Sequence, residues 1–146
     1  MDSWFNETEA QAWGGFLSTH GRLSRRLEEN LRRTSHLSHA EYEVLLRLFV
    51  AEGRQLRLQT LASESILSHS GISRLVDRLE QAGHVERIEA EEDRRGAYAV
   101  LTEAGVQHFT EAARQHTALV HELFLSHFST EDLTTMASFW ARLADT

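Results

Sequence analysis

The chain has no cysteine, no proline and no lysine. Without cysteine there is no disulfide framework, no thiolate metal site, no cysteine nucleophile and no thiol-based redox sensor. Without proline, nothing forces a kink into a long helix. Without lysine, all 15 basic residues are arginine. Codon bias in a GC-rich genome would account for that choice, but its consequence is chemical: a guanidinium offers phosphates and base edges a planar fork where an ammonium offers a point charge. No apolar run approaches the roughly 18 residues that span a bilayer. The first residues, through Trp13, are acidic and lack the basic and apolar regions of a secretory leader, so the expected compartment is the cytoplasm and no membrane partner is expected.

What remains is ordinary in bulk. At 146 residues, 41% hydrophobic and 25% charged, the chain has the size and balance of one soluble domain. A net charge of −7 speaks against a nonspecific polyanion binder but leaves room for a small local DNA-binding surface. No linker, internal repeat or low-complexity tract interrupts it.

The hydrophobic periodicity carries more. From about Glu7 to Arg33, Trp13, Phe16, Leu17, His20, Leu23, Leu27 and Leu31 recur at spacings of three and four, one face of a long helix. Ser38 with Glu41 is a capping-box signal for a second helix that Gly53 ends. Gln55 to Leu58 alternates as one brief strand. Leu61 to Ile66 gives two helical turns. After a short break a further helix runs from His69 to Ala82 and is closed by Gly83. Two short helices joined by a tight turn, the second with a polar outer face, form a helix-turn-helix. After Gly83 the period falls to two, and the segments from His84 to Glu89 and from Ala97 to Leu101 read as a β-hairpin with a charged tip, a wing. Thr102 caps a second long helix to about His127. Ser129 with Asp132 opens the last one.

The fold class is therefore mainly α with a small β-hairpin: a winged helix-turn-helix lobe at about 38–102, with long terminal helices at about 1–37 and 103–146. Trp4, Phe5, Trp13 and Phe16 at one end, and Phe124, Phe128, Phe139 and Trp140 at the other, are more apolar surface than a compact winged module covers. A second copy is the economical solution, so the terminal helices are expected to form a two-fold homodimer.

A dimer makes DNA binding geometrical, because two recognition helices one duplex turn apart call for a pseudo-palindromic operator. The helix near Ser68 opens with small or hydrogen-bonding residues, Ser68, His69, Ser70 and Ser73, which let its free amides approach a phosphate. Arg74 is long enough to fork onto guanine. Arg78, one turn further, meets phosphate or pairs with an acidic neighbour. At the wing tip, Arg95 is placed for a minor groove and Arg94 for phosphate, with Asp93 holding one arginine by an ion pair. Between Arg54 and Gly96, seven arginines stand against eight acidic residues, so binding is expected to rest on a few placed arginines and to show a modest salt slope.

The run from Tyr42 to Thr102 resembles the MarR (multiple antibiotic resistance regulator) family. The carrying segments are Glu41 to Leu45, Leu67 to Glu80, and the Asp93-Arg94-Arg95-Gly96 wing followed by Leu101-Thr102-Glu103-Ala104-Gly105. The resemblance implies a single MarR-like domain over residues 1–146 and a homodimeric transcription regulator, most often a repressor, with a small-molecule pocket between the dimer helices and the DNA-binding lobe. It also implies that Ser70, Ser73 and Arg74 face the major groove and Arg95 the minor groove.

Other chemistries find less support. There is no nucleophile elbow, phosphate-cradling glycine loop or HExxH, so no catalytic residue and no cofactor are expected. Nine histidines raise the alternative of a zinc-responsive regulator, but no His-x-x-x-His pair occurs. His36 and His39 offer at most a ligand pair, and no metal site is assigned. A protein-binding adaptor would favour aromatics on the helix that here carries serines. Trp13, His20 and Tyr42 are candidates to line an effector pocket for a small aromatic or phenolic ligand.

Overall fold

The computed structural model describes residues 4–64, 69–91 and 96–144. In chain order the elements are α1 (Glu7–Ser35), α2 (His39–Val50), β1 (Gln55–Arg57), α3 (Leu58–Ser63), α4 (His69–Gln81), β2 (Val85–Glu89), β3 (Ala97–Leu101), α5 (Glu103–Leu123) and α6 (Thr130–Ala141). Single 3-10 turns lie at Glu52–Arg54 and Leu125–His127. The chain is mostly helical with one small antiparallel sheet.

Local chemistry sets most boundaries. At α2, Glu41 N donates to Ser38 Oγ at 3.1 Å while Ser38 N donates to Glu41 Oε2 at 2.7 Å, a reciprocal capping box. Ser129 and Asp132 repeat it at α6. Gly83, at φ +81, closes α4 in the left-handed conformation that a side chain would strain. Its amide and that of His84 donate back to Glu80 and Leu79, which satisfies carbonyls the helix end would leave open.

Three features differ from the sequence expectation. The short strand is not isolated: β1 and β2 both pair antiparallel with β3, giving the order β1-β3-β2 with Arg57 opposite Tyr98 and Ile88 opposite Tyr98. A three-residue strand cannot stand alone, and β3 supplies the ladder that holds it. Leu58 leaves the strand and opens α3 three residues earlier than the apolar spacing indicated. The second long helix stops at Leu123, and Phe124, at φ −134, passes the chain into the 3-10 turn.

The chain divides into two compact units, Glu28–Arg114 and the two ends, up to Leu27 and from Gln115. The middle unit packs around Leu45, Leu48, Leu61, Ile72, Leu75 and Val76, all essentially without solvent exposure. Within it, a Cβ on Gly105 would run into the carbonyl oxygen of His84, so glycine is what lets the start of α5 lie against the turn between α4 and β2. Thr102 bolts the same joint, its hydroxyl donating to Gly83 O at 2.6 Å and accepting from Gly105 N at 3.0 Å. The terminal unit leaves its aromatics open: Trp13 is 52% exposed and Trp140 50%.

Candidate nucleic-acid interface

Helix α4 buries Ile72, Leu75, Val76 and Leu79 and turns its polar side outward. Ser70, Arg74 and Arg78 are exposed, while Ser73 and Asp77 are half-buried. The polar residues have different partners. Arg78 Nε donates to Glu41 Oε1 at 3.0 Å. Asp77 Oδ1 lies 2.9 Å from Arg87 Nη2, and Ser73 receives the same guanidinium at its carbonyl, 3.2 Å, and its hydroxyl, 3.4 Å. Arg74 makes no ion pair or hydrogen bond with the described residues, which leaves its five donors to water or to a ligand.

Burial on α2 would raise the pKa of Glu41. The Ser38 amide, the Arg78 guanidinium and the Ser38 hydroxyl outweigh burial and hold the carboxyl below its usual range. The capping glutamate of α2 is therefore also a partner for α4. Ser68, Asp93, Arg94 and Arg95, and the side chain of His69, lie outside the described residues.

Sequence reasoning missed Arg87. One signal was available: Val85 is buried and faces the core from β2, so Arg87, two residues on, shares its inward parity. An arginine on the inner face of a strand needs an internal partner, and α4 supplies it.

Of the three effector-pocket candidates, Tyr42 is 8% exposed and packs against Phe109 in the lobe, ring centroids 5.4 Å apart. Trp13 and His20 both flank Phe16, at 5.8 and 5.9 Å. Trp13 lines a groove of about 770 Å³ with Trp4, Phe5, Phe16, Phe139 and Trp140. His20 borders a separate apolar trough of about 270 Å³ with Leu23, Leu27, Val120, Leu123 and Phe124. Among the described residues no group of three His, Cys, Asp or Glu side chains is placed to hold a metal ion, and no helix is long and apolar enough to cross a membrane.

A short helix, a polar-faced helix after it and a three-stranded antiparallel sheet define the winged-helix class. The profile of the MarR family matches residues 37–96. AbsC from Streptomyces coelicolor, a MarR family transcriptional regulator, is 34% identical with a TM-score of 0.90, over 98% of this chain and 96% of that one. Sco3205 from the same organism, a MarR family regulator solved in complex with DNA, is 26% identical with a TM-score of 0.91, over 98% and 90%. The HTH-type transcriptional regulator PrsX of Escherichia coli is 31% identical over 88 residues, 58% of this chain. That match covers 53% of PrsX, so the chain spans about half the length of the curated relatives it matches. The chain belongs to the MarR family of transcriptional regulators, and these relatives are regulators rather than enzymes.

Proposed function

We propose that the protein is a cytoplasmic, sequence-specific DNA-binding repressor that acts as a homodimer on a pseudo-palindromic operator. The observation that carries the reading is Arg74: it stands exposed on the outer face of α4, with no ion pair among the described residues, between neighbours whose charges are already engaged. It forks onto a guanine edge, with Ser70 and Ser73 beside it and the start of α4, at Ser68 and His69, approaching a phosphate. Arg78 stays on Glu41 or exchanges it for phosphate. Arg95 enters the minor groove and Arg94 meets the backbone, with Asp93 orienting one of them. The DNA complex of Sco3205 supports this use of the fold.

The dimer rests on the terminal helices of residues 1–37 and 103–146, flanking the DNA lobe of residues 38–102. The open aromatic groove of Trp13, Phe16 and Trp140 is the surface a second copy would cover, since burying each large apolar side chain contributes about 1.5–3 kcal/mol. Control by a small aromatic or phenolic ligand would be a population shift toward a form whose recognition helices are wrongly spaced for DNA. The trough beside His20 is a place of suitable polarity.

The test is fluorescence binding to duplex DNA from upstream of the protein's own coding region, and to a scrambled duplex. Arg74→Ala should cost about 1–3 kcal/mol on the first and relax the preference at one base pair. Arg95→Ala should weaken binding at A·T positions. Equal binding of both duplexes by the wild type and the two variants would overturn the reading in favour of an adaptor.

A further inference from the structure

Arg87 stands on β2, the first strand of the wing, paired there with Ala99 of β3, yet its partners outside the sheet belong to α4. Its Nη2 lies 2.9 Å from Asp77 Oδ1 and donates to the carbonyl and hydroxyl of Ser73. Its own backbone amide donates to Glu80 Oε2 at 2.9 Å. Ser73, Asp77 and Glu80 follow at spacings of four and three, so one residue of the wing grips three positions along one face of α4. The side chain is 30% exposed, and its Nε is buried with no partner among the described residues. The group sits between two elements, β2 and α4.

We propose that Arg87 is a positioning residue that fixes the wing against the recognition helix, so that major-groove and minor-groove readers approach DNA at one set angle. The idea rests on the DNA-binding reading above. A small sheet meeting a helix through apolar contacts alone can slide or rock. A cation held by a carboxylate and a carbonyl cannot do so without leaving a charge unpaired in a partly buried place. Asp77 and Ser73 meet at the one nitrogen Nη2, and Glu80 fixes the backbone of β2 in register with it. Because Arg87 holds the protein to itself, its loss should lower the preference for one sequence without removing a phosphate contact. Loss of Arg94 or another phosphate-bound arginine should do the opposite.

The test compares wild type, Arg87→Met, Arg87→Lys, Asp77→Asn and the Arg87→Met/Asp77→Asn double variant. The probe is a duplex that the wild type selects from a random library, with a scrambled duplex beside it. Arg87→Met should lose roughly tenfold on the selected duplex, about 1.4 kcal/mol, with scrambled-duplex affinity and the slope of log K against log salt unchanged. Asp77→Asn should lose part of this and the double variant no more than Arg87→Met alone. Arg87→Lys, which keeps the charge but not the reach and planar geometry of the guanidinium, should restore only part of the loss. Should Arg87→Met fold poorly, Asp77→Asn carries the comparison, since Asp77 is half exposed.

Amide hydrogen exchange without DNA checks the brace itself. Exchange at Val85–Glu89 should quicken about tenfold in Arg87→Met and measurably in Asp77→Asn. Unchanged exchange together with unchanged selectivity would overturn the proposal, as would a salt slope reduced by about one per site, which would make Arg87 a phosphate contact. If the wild type selects no duplex, the DNA reading fails, while the exchange result still decides whether the brace exists.

Discussion

Arg78 on the recognition helix donates to Glu41 at 3.0 Å, and Glu41 is at the same time the residue that closes the capping box of α2. One carboxylate thus ends one helix and steadies another across 37 residues of sequence. Together with Arg87 on the opposite side, it leaves α4 held at both flanks, with Arg74 exposed between them.

Glu41→Gln keeps a capping side chain but gives up the charge. Arg78 is 58% exposed and Glu41 12%, so the pair should contribute about 0.5–1 kcal/mol rather than the value of a buried bridge. The sign with pH is definite: a carboxyl held below its usual range adds stability that is present above the unfolded pKa and lost as pH falls through the lower folded one. In urea titrations from pH 7 downward, the wild-type midpoint should fall in the acid range below the usual carboxylate pKa. The fall should be shallower for Glu41→Gln. Parallel curves for the two proteins would contradict the assignment.

His84 stacks on His108, ring centroids 4.1 Å apart and 14° from parallel. The Nε2 of His108 sits 2.9 Å from the carbonyl of Ser35, which only accepts, so that nitrogen carries the proton. Burial, then the neighbouring His108, lower the pKa of His84, and the charge of Glu41 opposes them in part. A histidine held neutral in the fold but protonated when unfolded makes stability fall as pH drops through about 6.5. His84→Phe, which retains stacking without titrating, should flatten the melting temperature between pH 7.5 and pH 5.5. An undiminished slope in that variant would assign the dependence elsewhere.

Gly105→Ala should destabilise by about 2 kcal/mol, the middle of the range for forcing extra volume into a packed site. The obstacle is the backbone carbonyl of His84 rather than a movable side chain. Chemical denaturation measures it. A neutral result would mean that α5 and the α4–β2 turn are free to part.

Phe16 and Trp140 lie 5.8 Å apart by ring centroid in the terminal unit. If their groove is the dimer surface, the Phe16→Ala/Trp140→Ala double variant should sediment as monomer at micromolar concentration, where the wild type sediments as dimer. Its operator affinity should fall with it, since half-sites read singly lose the linkage that two helices provide. A wild type that sediments as monomer would sink the dimer.

The sequence alone settled whatever is local. Both capping boxes, the glycine that ends α4, the switch of period from 3.6 to 2 at the wing and the polar edge carrying Arg74 each depend on residues within about one turn or one pleat of one another. Their spacing is therefore their physics. The family signature in the wing and in α4 was readable for the same reason.

Tertiary structure alone decided which side chains were spoken for. In sequence Arg78 reads as meeting phosphate or an acidic neighbour, and packing brought Glu41 of α2 to it. Ser73, read as a DNA contact, shares its hydroxyl with Arg87. The strand β1 found its ladder on β3, more than 40 positions along the chain, and Tyr42 packs in the lobe core against Phe109. A charge chooses its partner by distance in space, which hydrophobic periodicity does not encode. The outward face of an element can be read from its pattern, and the neighbour it meets there emerges only when the elements pack.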